Sequence, residues 1–235
     1  MSLEALKKEV YEANMELVEK QLVISTWGNV SGYDEESGLM VIKPSGVPYK
    51  ELRPDQMVPV DLNGNVVDSD YVPSTDTDTH IELYKAFKDQ GIRGIVHTHS
   101  QFATMWAQMG KNIPCYGTTH CDYFFGDIPC TRLMTTEEIE GAYEKNTGKV
   151  ILEEFEKRNC VEMQAVLVHS HAPFTWGKTP HDAVLHAQVL EYVAKMAIFD
   201  EIATGGKCEL IKDNINMKHY NRKFGPNAYY GQHKK

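Results

Sequence analysis

The stretch "GIVHTHS" (Gly94–Ser100) closes an apolar run with two histidines one residue apart, and "AVLVHSHAP" (Ala165–Pro173) repeats the device further along. Both runs read as buried strands. On a strand, residues i and i+2 face the same way, so His97 and His99 should project together, and so should His169 and His171. Two imidazoles side by side at a strand end can converge on one cation at about 2.0–2.1 Å each. A polar pair is costly to bury without partners, so each HxH marks a strand that opens into a site.

Working outward, "IRGIVHTHS" is followed by the helical pattern "QFATMWAQMG", and the strands "MQAVLVHSH" and "APFTWG" by "TPHDAVLHAQVLEYVAKMAIFDEIA", where Pro180 suits a first helical turn. Residues 3–20 carry Leu3, Leu6, Val10, Leu17 and Val18 at helical spacing. "LVISTWGNVSGYD" and "GLMVIKPSG" read as strands joined near Glu35–Gly38. "MVPVDLNGNVVDSD" reads as a hairpin turning at Asn63-Gly64. "TDTHIELYKAFKDQ" starts a helix behind Asp and Thr caps, Thr135 and Glu138 have capping-box spacing, and the tail is helical to Phe224. Early hairpins followed by strands alternating with helices predict an α/β fold in one domain over 1–235, with a mixed, largely antiparallel sheet covered by helices.

A formal net charge of -9 argues against nonspecific nucleic-acid binding. No apolar run approaches the roughly 18 to 20 residues of a membrane span, and the charged, amphipathic N-terminus is unlike a signal peptide. Five cysteines without a CxxC pair predict neither a disulfide framework nor a zinc knuckle, and a cytoplasmic location is the expectation.

An acidic partner for the histidines is available in "PSTDTDTH" (Pro73–His80), where Asp76, Asp78 and His80 all qualify; spacing does not choose among them. "TWGNVS" (Thr26–Ser31), "KPSG" (Lys43–Gly46) and the hydroxyls of "PST" combine glycine, small donors and one lysine. Together they can cradle a phosphate without a basic surface.

These motifs, with "GTTHCDYFFG", "IPCTR", "VLVHSHAPFTWGK" and "KHYNRKFGPNAYYGQ", resemble the class II aldolase family over residues 3 to 232, nearest its L-ribulose-5-phosphate 4-epimerase branch. The resemblance implies a three-layer α/β/α sandwich on a mostly antiparallel sheet, and a homotetramer with sites between subunits. It implies zinc (Zn2+), or another divalent metal, on Asp76, His97, His99 and His171, leaving His169 as a supporting residue. It places a sugar phosphate against Asn29, Lys43, Ser45, Gly46, Ser74 and Thr75. It makes Asp122 and Tyr230 the acid/base pair, Tyr230 coming from a neighbouring subunit, with His219 and Arg222 in support. Cys121 stands where the family pattern has alanine, and Thr75 where serine is frequent.

The implied reaction interconverts L-ribulose 5-phosphate and D-xylulose 5-phosphate by cleaving between carbons 3 and 4 and rejoining them on the other face, a step used in arabinose and ascorbate breakdown. Two alternatives stand beside it: a sugar-phosphate aldolase that releases its fragments, and a non-catalytic binding module like the adducin head. The aldolase branch carries glutamate near position 76; the aspartate here argues against it.

Overall fold

In a computed structural model that describes residues 2–231, the amphipathic N-terminus forms α1 (Leu3–Glu19), burying Leu6, Val10, Ala13 and Leu17. Gln232, the end of the tail motif, lies outside the described residues, as do Met1 and the last three residues. The Ser2 hydroxyl accepts from the Ala5 amide and so satisfies one free donor of the first turn. There follow β1 (Asn29–Asp34), β2 (Leu39–Ile42), β3 (Val58–Asp61), α2 (Thr77–Phe87), β4 (Gly94–His97), α3 (Gln101–Met109) and α4 (Thr118–Cys121). The chain continues through α5 (Thr136–Glu140), α6 (Tyr143–Phe155), β5 (Ala165–Leu167), β6 (Pro173–Gly177), α7 (Pro180–Thr204) and α8 (Asp213–Phe224).

The six strands form one sheet in the order β3-β2-β1-β4-β6-β5, and every neighbouring pair is antiparallel. The parallel component expected of a mixed sheet is confined to a bridge between Cys130 and Leu167. Alternate residues divide the sheet's faces. Val30, Gly32, Val41 and Val96 meet α1 and the first half of α7; Tyr33, Met40, Ile42, Ile95 and Trp176 meet α2 and α6. The result is the α/β/α sandwich. On the first face, Asn14 of α1 reads the backbone of β1: its amide donates to the Val30 carbonyl at 3.1 Å and its oxygen accepts from the Val30 amide at 3.0 Å.

Several expectations need correction. Leu22–Gly28 is not strand; Gln21, Ser25 and Gly28 take positive φ, and pairing begins only at Asn29. The hairpin at Asn63-Gly64 has one arm, because its return is a single Val60–Val66 bridge. The helical region after Thr135 breaks at Gly141, although the Thr135–Glu138 capping box forms as read. The short helix α4 was not anticipated, since four residues carry no helical period.

α7 reaches the sheet through Gly94, where a Cβ would sit 2.3 Å from the Thr179 carbonyl oxygen and 2.5 Å from Pro180. Those are backbone atoms at the N-terminus of α7 and cannot swing aside. Gly94→Ala should therefore destabilise the protein by about 1–3 kcal/mol, the usual scale of overpacking, read as a lower urea midpoint; an unchanged midpoint would show that α7 does not dock this tightly.

Candidate active site

The site begins with sheet register. Asn29 of β1 lies opposite His97 of β4, and His97 lies opposite Phe174 of β6, so three strands deliver adjacent side chains at one edge. The Phe174 ring stacks on the His97 imidazole with centroids 4.3 Å apart. His97 Nδ1 is 3.0 Å from the Pro173 carbonyl oxygen, which only an Nδ1–H can satisfy; the lone pair is thereby left on Nε2. That Nε2 is 3.1 Å from Nε2 of His99.

β4 stops at His97, yet His99 still turns the same way. The second pair behaves differently. β5 ends at Leu167, and Ser170 adopts φ 62°, so His169 and His171 lie in a turn and do not share a strand face. His169 packs its ring on Gly110 at the end of α3, where a Cβ would meet Nε2 at 2.4 Å. His171 turns to the other side and joins His97 and His99, with one ligating atom from each within 4.8 Å of the others.

The donor set suits a divalent cation. Burial, helped by the neighbouring imidazoles, pushes both His99 and His171 down to about 4, so neutral rings with free lone pairs prevail at ordinary pH. His171 Nδ1 is buried without a hydrogen-bond partner among the described residues. Asp76, the N-cap of α2, lines the same cleft but does not belong to the three-histidine group. Its Oδ2 accepts from Asn29 at 2.7 Å and from the Ser74 hydroxyl at 3.4 Å. Burial works to raise Asp76, but His97, His80, the Asn29 bond and His171 together hold it below the usual carboxylate value. Of the other acidic-loop candidates, Asp78 is exposed, and His80 is a core residue held 2.7 Å from the Ser31 hydroxyl.

The cleft has a volume of about 580 Å³ and also takes in Asn29, Lys43, Ser45, Gly46, Ser74 and Thr75, so all six expected phosphate residues share it with the histidines. Two loops are laced together to form that wall: Ser45 donates to the Val72 carbonyl and Ser74 to the Lys43 carbonyl. Lys43 is almost wholly buried over the Tyr49 ring, and burial pulls it down to about 8. A cationic group so poorly hydrated gains by meeting an anion. Trp27, Tyr143 and Glu144 also line it. Sequence reading overlooked the last two because they sit mid-pattern at the start of α6, and only packing turns them toward the histidines.

Residues 8–198 match the family model described as Class II Aldolase and Adducin N-terminal domain. The chain belongs to this family. Among solved structures, an L-fuculose 1-phosphate aldolase is 26% identical, with TM-score 0.78 over 94% of this chain and 97% of that one. The L-fuculose 1-phosphate aldolase of Glaciozyma antarctica PI12 (16%, TM-score 0.74, 93% and 81%) has the same fold. So has YgbL from Klebsiella pneumoniae, for which aldolase, epimerase and decarboxylase are all named (20%, TM-score 0.70, 93% and 99%). The sandwich is thus the class II aldolase fold.

Asp122 and Tyr230 do not line the cleft. Asp122, the C-cap of α4, is clamped by α8: Arg222 Nη2 donates to both carboxylate oxygens at 2.9 and 2.7 Å, His219 Nδ1 lies at 3.1 Å and Lys223 Nζ at 3.7 Å. Burial would raise this carboxyl, but the Arg222 and His219 hydrogen bonds and the Lys223 charge hold it low. The Tyr230 ring packs on the same two cations, with Arg222 at 5.1 Å and Lys223 at 4.6 Å. Asp122 and Tyr230 of one chain therefore share the Arg222 and Lys223 cations of α8.

The two histidine pairs should separate in a metal titration. His97→Ala, His99→Ala and His171→Ala are each expected to weaken zinc binding by at least about tenfold, whereas His169→Ala leaves it within about twofold. Competition against a chromogenic chelator reads this directly; equal losses at His169 and His171 would refute the asymmetry.

Proposed function

We propose that the chain is a divalent-metal-dependent L-ribulose 5-phosphate 4-epimerase, built as one domain. The observation that carries this reading is a single cleft holding three convergent imidazoles beside a buried lysine and a ring of small donors. Such a cleft fits a sugar phosphate that is held at one end by its phosphate and reacts at the other. A cation on His97, His99 and His171, with Asp76 as the further ligand and zinc as our choice of metal, would supply charge stabilisation for the oxygens on carbons 2 and 3.

The remaining work falls to the chain's own groups. Asn29, Lys43 and Ser74, with Ser45, Gly46 and Thr75, keep the phosphate-bearing fragment bound while the bond between carbons 3 and 4 is open. Asp122 and Tyr230 take and return the carbon 4 hydroxyl proton on opposite faces of the aldehyde, with His219 and Arg222 positioning Asp122. Burial keeps the fragments from exchanging with water.

Because Asp122 and Tyr230 cluster away from their own chain's histidines, the pair reaches a metal cleft as a unit supplied by another subunit. This supports a homotetramer with sites between subunits. The exposed apolar side chains of α7, Leu185, Tyr192, Met196, Phe199 and Ile202, offer surface for such assembly. Among the described residues no helix is long and apolar enough to cross a membrane, consistent with a cytoplasmic enzyme of arabinose or ascorbate breakdown.

A second reading, an aldolase that releases its fragments, draws support from the likeness to the L-fuculose 1-phosphate aldolase. Aspartate at position 76 and the Asp122–Tyr230 pair favour epimerisation. The intact histidine triad speaks against a binding module of the adducin kind.

The deciding assay follows D-xylulose 5-phosphate formed from L-ribulose 5-phosphate, with and without chelator. Metal-dependent conversion without free glycolaldehyde phosphate is expected; accumulation of that aldehyde would move the protein to the aldolase reading. Asp122→Asn and Tyr230→Phe should each lower kcat by about 10²-fold or more.

Lys43 adds a pH signature. Its protonated form attracts the phosphate, so kcat/KM should fall as pH rises past about 8, where Lys43 loses its proton in the free protein. Lys43→Arg, which does not titrate there, should abolish this alkaline limb while retaining activity; persistence of the limb in that variant would assign it to another group.

A further inference from the structure

Cys115 and Cys121 are buried thiols whose sulfurs stand 3.3 Å apart, across the turn that opens α4. Neither has a role in the site described above. A disulfide needs a separation of about 2.0 Å, so a small movement of one side chain toward the other would join them. The turn has room to provide it. Gly117, the N-cap of α4, has nothing within 4 Å of the place a Cβ would occupy. A cavity of about 260 Å³ lies against the turn, lined by Pro114, Tyr116, Gly117 and Thr119 among others. A helix of four residues has little cooperative stability of its own and can open locally to admit a small reagent.

We propose that Cys115 and Cys121 are a reversible modification site, forming an intramolecular disulfide by exchange with a small disulfide such as oxidised glutathione. In the first step the Cys121 thiolate attacks one sulfur of the small disulfide, expels one small thiolate and becomes a mixed disulfide. In the second, Cys115 gives its proton to solvent and attacks the Cys121 sulfur, expelling the second small thiolate. Two protein thiols are oxidised to one S–S bond, and one small disulfide is reduced to two thiols. The Cys115 thiol, hydrogen-bonded to Cys121, favours the thiolate at Cys121 and is itself pushed up, which supports this order of attack.

The consequence for turnover rests on the reading that Asp122 acts at carbon 4. Asp122 follows Cys121 directly, while His219, Arg222 and Lys223 hold its carboxylate from α8. Drawing Cys121 toward Cys115 pulls α4 against that clamp. A shift of about 1 Å in a reacting group can cost roughly 10²-fold in rate, so the oxidised form should turn over at least tenfold more slowly.

The test equilibrates the intact, metal-loaded protein with mixtures of reduced and oxidised glutathione, quenches with an alkylating agent, and maps the cysteines by mass spectrometry. The expected result is loss of two thiols per chain, a cross-linked peptide containing Cys115 and Cys121, reversal by reduced glutathione, and absence of the link in Cys115→Ser and Cys121→Ser. Reversible slowing of turnover should track the link in the native chain and vanish in both variants. Cysteines 115 and 121 that stay alkylatable while the half-exposed Cys208 reacts would overturn the proposal. So would a link from either to Cys208. Formation of the link with unchanged turnover would overturn its functional half. Absence of epimerase turnover in the fully reduced protein would count against the epimerase reading alone, since the thiol map decides the disulfide by itself.

Discussion

The bond between His97 Nδ1 and the Pro173 carbonyl is the constraint on which the site depends. It crosses from the end of β4 to the start of β6 and selects one tautomer, so the other ring nitrogen is available to a cation. Phe174 stacking restrains the same ring from one face. With His97 immobilised, His99 and His171 need only short loops to converge on it. The cost of burying His99 and His171 is kept down by their neutrality, which burial itself favours.

The anion wall follows the same logic of rigid support for mobile chemistry. Asn29 stands opposite His97 by strand register and bonds both Ser74 and Asp76, so one amide ties the Ser74 loop to the histidine side of the cleft. The Lys43 and Ser74 loops are joined backbone to backbone, and Lys43 lies over the Tyr49 ring with the Thr26 and Pro44 carbonyl oxygens near its ammonium group. A protein of net charge -9 thereby places one buried lysine in the wall of this cleft.

The Asp122 cluster is a separate construction. α4 and α8 bring Asp122 against His219, Arg222 and Lys223, and Tyr230 packs on the last two. Against the pull of burial, the Arg222 and His219 hydrogen bonds and the Lys223 charge hold the Asp122 carboxyl below its usual value. The residues of this cluster stand outside the lining of the cleft that holds the histidines.

Much of this was legible in the residues alone. HxH at the end of an apolar run drew attention to both histidine pairs, although strand alternation places only His97 and His99 together. The capping box at Thr135 and the long α7 helix were equally plain, since both rest on contacts a few residues apart. Three matters needed the tertiary structure. Ser170 at positive φ ends the strand pattern early, so His171 faces the triad and His169 faces Gly110; a left-handed serine leaves no mark in composition. Tyr143 and Glu144 enter the cleft only because α6 packs beside α2. Asp122 and Tyr230 share the cations of α8 through chain segments about a hundred residues apart. Local sequence determines periodicity, caps and residue chemistry, because those act over one or two turns. Which side chains meet is settled by strand register and helix packing, whose contacts no local pattern records.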